Sequence, residues 1–259
     1  MKNKLLFMGR KIYGAEALEW SVQNNWDVVA VVTDDHQDTS PTAEMARKYN
    51  LNLLDYDGLM DAIEGNKLEF DLAVSYVYWK ILKKPLIEIP SLGIINFHPA
   101  PLPELKGTGG FNVAILENHD SFGVTAHYLD EGIDTGPVIE VDRFTIDAKS
   151  ETAQSLERKS HQRMVELYKK ILNEVARTGV LPSKKLNGGR SVSRKEMEEM
   201  KQIKPGDDID AKIRAFWFPP YDGASIQISG QRFTLVNREI IENLEGDAEA
   251  LFRHTQKGS

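Results

Sequence analysis

The sequence predicts an α/β fold, a mostly parallel sheet with helices on both faces, followed by a small C-terminal β-rich domain. Two observations predict it. Short apolar runs of strand composition alternate with segments of helical spacing over the first two thirds of the chain. After Leu181 that alternation stops, and a polar, basic stretch leads into a hairpin pattern.

The elements follow in order. Leu5 to Met8 is a buried strand, and Ala17, Leu18 and Val22 recur at helical spacing between Gly14 and Asn24. Asp27 to Thr33 holds a Val-Val-Ala-Val-Val run, the composition of a strand covered on both faces. Ser40-Pro41 opens a helix with a capping hydroxyl and a proline in the first turn. Phe70 to Ser75 and Gly93 to Phe97 are further strands, and Thr108 to Glu117 is helical. Phe122 to Leu129 alternates and can pair with Val138 to Phe144. Glu151 to Arg177 is the longest helical stretch, placed so that Gly179 ends it. This is a Rossmann-like order, and it sets a boundary at residues 1–182 and 183–259. In the second part, Ser183 to Lys204 reads as a surface connection and Asp208 to Phe216 as a short helix. Ala224 to Ile228 and Arg232 to Val236 then read as a hairpin around Ser229-Gly230. The last eight or so residues are expected to fray.

Composition bounds the function. With 259 residues, 41% hydrophobic and 27% charged, the chain is an ordinary globular length and composition. Its 32 Lys and Arg against 39 Asp and Glu give a formal net charge of −7, a poor basis for wrapping a polyanion. The absence of cysteine excludes disulfides, thiolate catalysis and cysteine-ligated zinc. The N-terminal apolar run is too short for a signal peptide, and no stretch has the roughly 20 apolar residues of a membrane span. The cytoplasm is the expected compartment.

Several motifs are weighed and set aside. Met8-Gly9-Arg10-Lys11-Ile12-Tyr13-Gly14 follows the first strand but lacks both Gly-x-Gly-x-x-Gly and Gly-Lys-Ser/Thr, so a nicotinamide cofactor and a P-loop nucleotide are disfavoured. The histidines form no His-Glu-x-x-His, and no metal is expected.

The chemistry concentrates in two places. Asn96 and His98, two apart at the end of a buried strand, project to one face and are followed by the stiff Pro99-Ala100-Pro101-Leu102-Pro103. Taken alone, the pair is either a site at the carboxyl end of a strand or a turn bond and a buried cap. The second place is Asp130-Glu131-Gly132-Ile133-Asp134-Thr135-Gly136-Pro137, either a loop that aims Asp134 at a neighbouring histidine or a solvated acidic turn. His127 lies near it and reads as a packed strand histidine.

These segments together, Asn96 to Pro103 with Lys106-Gly107, then Gly123-Val124-Thr125-Ala126-His127, then Asp130 to Pro137, closely resemble the formyltetrahydrofolate-dependent formyltransferases. That family includes enzymes acting on methionyl-tRNA, glycinamide ribonucleotide and nucleotide-linked amino sugars. The resemblance implies Asn96, His98 and Asp134 as the catalytic triad, with no departure at any of the three. It implies 10-formyltetrahydrofolate as donor, held by Tyr78, Trp79, Ile81, Leu82, Asp130, Glu131 and Ile133.

For the acceptor, the net charge and the short acidic connection Asp35 to Thr39 argue against tRNA. Enzymes of methionyl-tRNA resemble this chain but carry a longer basic insertion there. The resemblance is greatest to the nucleotide-linked sugar N-formyltransferases, which implies a nucleotide-linked amino sugar, a place in lipopolysaccharide O-antigen biosynthesis and, by analogy, a homodimer. Arg10 and Lys106 are the expected phosphate cations. Trp217 and Tyr221 either offer a surface for base or sugar or pack the tail domain. Methionyl-tRNA formylation, supported by the basic stretch Lys184 to Lys195, and formyltetrahydrofolate hydrolysis are the alternatives. No nucleic acid or membrane partner is expected.

Overall fold

The computed structural model describes residues 3–244. Its elements are β1 (Lys4–Gly9), α1 (Lys11–Gln23), β2 (Asp27–Val32), α2 (Pro41–Lys48), β3 (Leu53–Leu54), α3 (Tyr56–Glu64), β4 (Leu72–Tyr76), β5 (Ile94–His98) and β6 (Leu105–Gly107). There follow α4 (Gly110–Leu116), β7 (Ser121–Tyr128), β8 (Val138–Thr145), α5 (Ala153–Thr178), β9 (Arg190–Val192), α6 (Arg194–Met200), α7 (Ile209–Phe216), β10 (Ser225–Ile228), β11 (Gln231–Thr234) and α8 (Arg238–Leu244).

The main sheet has the order β3-β2-β1-β4-β5-β7-β8. Its strands from β3 to β5 pair in parallel, and β7 joins β5 antiparallel. This is the mostly parallel, Rossmann-like sheet the sequence predicts. Period-two alternation sorts the strand side chains between two apolar clusters. Leu5, Phe7, Leu72, Val74, Tyr76, Ile95 and Phe97 face one, packed with residues of α1 and α5. Leu6, Met8, Ala73, Ala30, Val32 and Ile94 face the other, with Leu59 of α3. Each fully buried Val, Leu, Ile, Phe or Met side chain among them contributes about 1.5–3 kcal/mol of transfer free energy. Asn96 and His98 have the parity of Ile94, so Phe97 between them is the residue committed to the first cluster.

The chain divides into two compact units. One comprises residues 1–106, 123–143 and 160–190; the other comprises 107–122, 144–159 and 191–259. The first holds the strands from β1 to β5. The second holds α4, α6, α7, α8 and the β10–β11 hairpin. Within it, Phe122 packs against Phe111 and Phe144 at centroid distances of 5.5 and 6.0 Å. The guanidinium of Arg214 on α7 donates to the carbonyls of Ala148 and Glu151.

Local chemistry sets the boundaries. Ser40 caps α2 by accepting from the Ala43 N–H, with Pro41 in the first turn. Ser229 and Gly230 both have positive φ, the requirement of a tight hairpin turn, and they join β10 to β11. The stretch expected as an irregular connection, Ser183 to Lys204, contains α6, started by a capping box between Ser193 and Glu196. That Ser-x-x-Glu signature stands in the sequence, but the helix it opens has no buried residue, so no apolar period announces it. The sequence reading assigns nothing between Tyr49 and Phe70, where β3 and α3 form, the latter capped by Asp55. The expected fraying at the C-terminus concerns residues outside the described range.

Candidate functional site

The antiparallel pairing of β5 with β7 builds the site. Asn96 lies opposite His127, and His98 opposite Thr125. Directly opposed residues share a face, so these four side chains form the corners of one square beyond the buried apolar strands. Asn96 is half-buried, His98 is 7% exposed, and Thr125 and His127 are fully buried.

The acidic loop between β7 and β8 brings the fifth group. Asp130 accepts from the Thr135 hydroxyl at 2.6 Å and the Gly132 N–H at 3.0 Å, which staples the loop to itself. Gly136 passes so close beneath β7 that a Cβ there would lie 1.8 Å from the Tyr128 carbonyl oxygen, so only glycine fits. Asp134 has φ of 53°, a left-handed conformation that aspartate tolerates better than most residues. The loop so formed sets Asp134 Oδ1 3.6 Å from His98 Nδ1 and 3.7 Å from His127 Nε2.

Hydrogen-bond partners fix the ring tautomers. His98 Nε2 lies 3.0 Å from the Leu105 carbonyl oxygen, which can only accept, so Nε2 carries the proton. His127 Nδ1 lies 2.9 Å from the Tyr128 carbonyl oxygen and is protonated for the same reason. His127 Nε2 is then an acceptor, and the Asn96 amide donates to it at 3.0 Å. Burial pushes the His98 imidazole below its ordinary pKa, opposed by the Asp134 carboxylate and the Leu105 carbonyl. In the neutral state, therefore, His98 turns its Nδ1 lone pair toward the Asp134 carboxylate, while the His127 Nε2 lone pair takes the Asn96 amide hydrogen. Asn96 keeps a second amide hydrogen and its carbonyl oxygen for another partner.

The structure thus brings together Asn96, His98 and Asp134, and adds His127. From the sequence, His127 reads as a packed strand histidine. Its signal would have been the β5–β7 register, which places it opposite Asn96 and which no local pattern in the sequence reveals.

The segments expected to hold a donor also meet. Leu82 is buried in an apolar cluster that Tyr78 and Leu129 join, linking the stretch after β4 to the start of the acidic loop. Burial and the Asp35 carboxylate push the Tyr78 phenol far up. Trp79, Ile81 and Ile133 remain exposed, at 47, 57 and 55%. Glu131 is exposed, while Asp130 is occupied inside its loop.

The expected phosphate cations are both engaged. Arg10, at the start of α1, pairs with Asp34 after β2 at 3.3 Å, and Lys106 donates to the Gly188 carbonyl at 2.6 Å. In the second unit, Trp217 is half-buried at the end of α7 and accepts from the Gln154 N–H, while Tyr221 is 61% exposed with its ring 5.8 Å from Phe218. Among the described residues no group of three or more His, Asp or Glu is arranged to hold a metal, and no helix is long and apolar enough to cross a membrane.

The chain is similar to known proteins in sequence and in fold. The chain is 26% identical over 275 residues to the methionyl-tRNA formyltransferase of Methylacidiphilum infernorum, covering 97% of this chain and 84% of that one. Among solved structures, it superposes with a TM-score of 0.72 on an N-formyltransferase from Helicobacter canadensis in complex with folinic acid and dTDP-3-aminofucose. That match is 23% identical and covers 89% of this chain and 85% of the other. A 4-N formyltransferase from Francisella tularensis gives a TM-score of 0.77 at 18% identity, covering 91% and 97%. The family model described as formyl transferase matches residues 4–172, the span that contains every strand and loop of the site. The chain belongs to the formyl transferase family and is a formyl-transferring enzyme.

Proposed function

We propose that the enzyme moves the formyl group of 10-formyltetrahydrofolate to the amine of a nucleotide-linked amino sugar. The observation that carries the catalytic part is the convergence of His98 Nδ1 and His127 Nε2 on Asp134 Oδ1, beside the free amide hydrogen of Asn96. The acceptor rests on two further points. Solved neighbours include a sugar 3N-formyl transferase and a sugar N-formyltransferase, and the Helicobacter canadensis N-formyltransferase holds dTDP-3-aminofucose. The loop after β2 carries Asp34, Asp35 and Asp38, which repel a polyanionic RNA.

Each residue then has a task. Tyr78, Trp79, Ile81, Leu82 and Ile133 hold the folate donor, with Asp130 and Glu131 framing the loop opposite. The amine attacks the formyl carbon, forming a new C–N bond. Asn96 donates its second amide hydrogen to the formyl oxygen as charge develops there, an interaction whose loss costs about 3–4 kcal/mol of transition-state stabilisation. The amine proton is taken by the proton-poor pair of His98 Nδ1 and Asp134. As the donor C–N bond breaks, a proton returns to the departing nitrogen, so none is gained or lost overall. In the neutral ring the His98 N–H belongs to the Leu105 carbonyl, so His98 serves as base and becomes a donor only once protonated. Arg10 and Lys106 meet the phosphates of the acceptor, in a cytoplasmic homodimer.

A second reading, formylation of methionyl-tRNA, is favoured by the match to such enzymes over nearly the whole chain. The deciding experiment supplies formyltetrahydrofolate with dTDP-, UDP- and GDP-linked amino sugars and charged initiator tRNA, read by mass spectrometry. One sugar gaining a single formyl group is expected. Formylation of the tRNA alone overturns the acceptor, and rapid formate release without any acceptor points to a hydrolase.

A further inference from the structure

The fourth corner of the square, Thr125, is fully buried, and both faculties of its hydroxyl are used. Oγ1 donates to the Ala100 carbonyl at 2.8 Å and accepts from the Leu102 N–H at 3.0 Å. The segment it grips is poor in donors. Pro99, Pro101 and Pro103 have no N–H, which leaves Ala100 and Leu102 as the N–H groups between residues 99 and 103. Thr125 therefore holds one of two possible amide handles on that segment. The chain then turns so that the Leu105 N–H donates to the Pro101 carbonyl at 2.9 Å, and the Leu105 carbonyl meets His98 Nε2. Ala100, Leu102 and Leu105 are all buried, so the path has little slack.

We propose that Thr125 is a positioning residue: by pinning Ala100 and Leu102 it presents the Leu105 carbonyl to His98, and so locks His98 in the tautomer whose Nδ1 lone pair faces Asp134. The lock matters because the other tautomer puts a proton on Nδ1, where the base is needed, and a lone pair on Nε2 against a carbonyl oxygen. This proposal rests on the formyl-transfer reading for its catalytic consequence, but the lock is measurable without any substrate.

The test combines two-bond 1H–15N spectra of the histidine rings with kinetics, in wild type, Thr125→Val and Thr125→Ser. Valine keeps the shape and removes both hydrogen bonds; serine keeps the hydroxyl. In wild type, His98 is expected to show a protonated Nε2 and an unprotonated Nδ1. In Thr125→Val that pattern gives way to mixed tautomers, and kcat falls on the order of tenfold with the donor KM little changed. Thr125→Ser restores both. The apparent pKa of His98 falls further in Thr125→Val, because the Leu105 carbonyl no longer favours the protonated ring. A His98 carrying its proton on Nδ1 in wild type overturns the proposal, and this measurement suffices if the valine variant does not fold. A valine variant that keeps the wild-type tautomer also overturns it, whatever its activity. An intact lock that valine breaks, in a protein that formylates none of the sugars, supports the lock and overturns only the acceptor.

Discussion

Asn96 and His127 face each other across the antiparallel pair of β5 and β7, and the amide nitrogen of Asn96 donates to His127 Nε2 at 3.0 Å. Because His127 Nδ1 is committed to the Tyr128 carbonyl, the acceptor role of Nε2 is fixed, and so is the flip state of the Asn96 amide. A buried histidine that presents only a lone pair aims the one amide in the site.

Removing that aim is predicted to slow catalysis without abolishing binding. His127→Leu should lower kcat by about ten- to a hundredfold, less than outright loss of an oxyanion donor, which costs about 10²–10³. His127→Gln, which can place an amide oxygen near the former Nε2, should lose less. Steady-state kinetics with the donor varied checks this. Equal kcat in His127→Leu and wild type would remove His127 from the site.

Asp134 offers a cleaner substitution than most catalytic carboxylates. Its left-handed backbone is one that asparagine also adopts, so Asp134→Asn keeps loop and shape and changes only charge and acceptor capacity. Loss of the proton sink should cost about 10²–10⁴-fold in kcat. Folate affinity by fluorescence titration and the melting temperature should stay close to wild type, which separates chemistry from folding.

The buried His98 makes a signed prediction about pH. Its folded pKa is depressed below the ordinary 6.5, chiefly by burial. The unfolded chain therefore binds a proton first as pH falls, and folding opposes that binding. The stabilising contribution is present above about pH 6.5 and is lost as pH drops through the lower folded value. Relative to His98→Asn, wild type should lose stability on acidification below 6.5 in urea titrations. A difference that grows in that range would mean that His98 binds its proton more tightly when folded.

How much of this was legible in the sequence follows from range. Strands buried on both faces announce themselves as continuous apolar runs, and Ser40-Pro41 carries its cap within two residues, so the sheet and its entrances could be read. The motif Asn96-x-His98 and the loop at Asp134 could be read as well, through their resemblance to a family. Other features could not, β3 and α3 among them. Helix α6 has no buried residue, and no apolar period announces it. His127 acquires its meaning only when β7 is set antiparallel to β5 in one particular register. The tautomer of His98 depends on a carbonyl seven residues on, beyond a turn whose shape no local pattern gives. Arg10 shows the same limit differently: its charge was legible, its pairing with Asp34 was not.

The second unit has its own anchor in Arg214. Its side chain is buried, and its guanidinium donates to the carbonyls of Ala148 and Glu151 and to Asp210 Oδ2 at 2.9 Å. Arg214→Met fills much of the volume but leaves two carbonyls in buried residues without that partner. A loss of about 2–3 kcal/mol is expected, below the full figure for a buried pair because Asp210 is partly solvated. Denaturant unfolding checks it. The Arg214 and Asn237 hydrogen bonds also hold the Asp210 carboxyl below its ordinary 3.8, so the destabilisation should narrow as pH falls below that value.

The last prediction concerns the acceptor. Arg10 follows β1, and its N–H donates to the Tyr76 carbonyl at the end of β4, so it stands where the strand order reverses and where open α/β sheets bind ligands. Its guanidinium is paired with Asp34 at 3.3 Å, so a phosphate would have to compete with a carboxylate. Arg10→Met should then raise the KM of a nucleotide-linked acceptor about tenfold with kcat nearly unchanged, the pattern of lost uniform binding. Asp34→Asn removes the competitor and should lower that KM. The two variants must move in opposite directions: if Asp34→Asn weakens the acceptor as much as Arg10→Met does, the ion pair shapes the loop and Arg10 does not meet the phosphate.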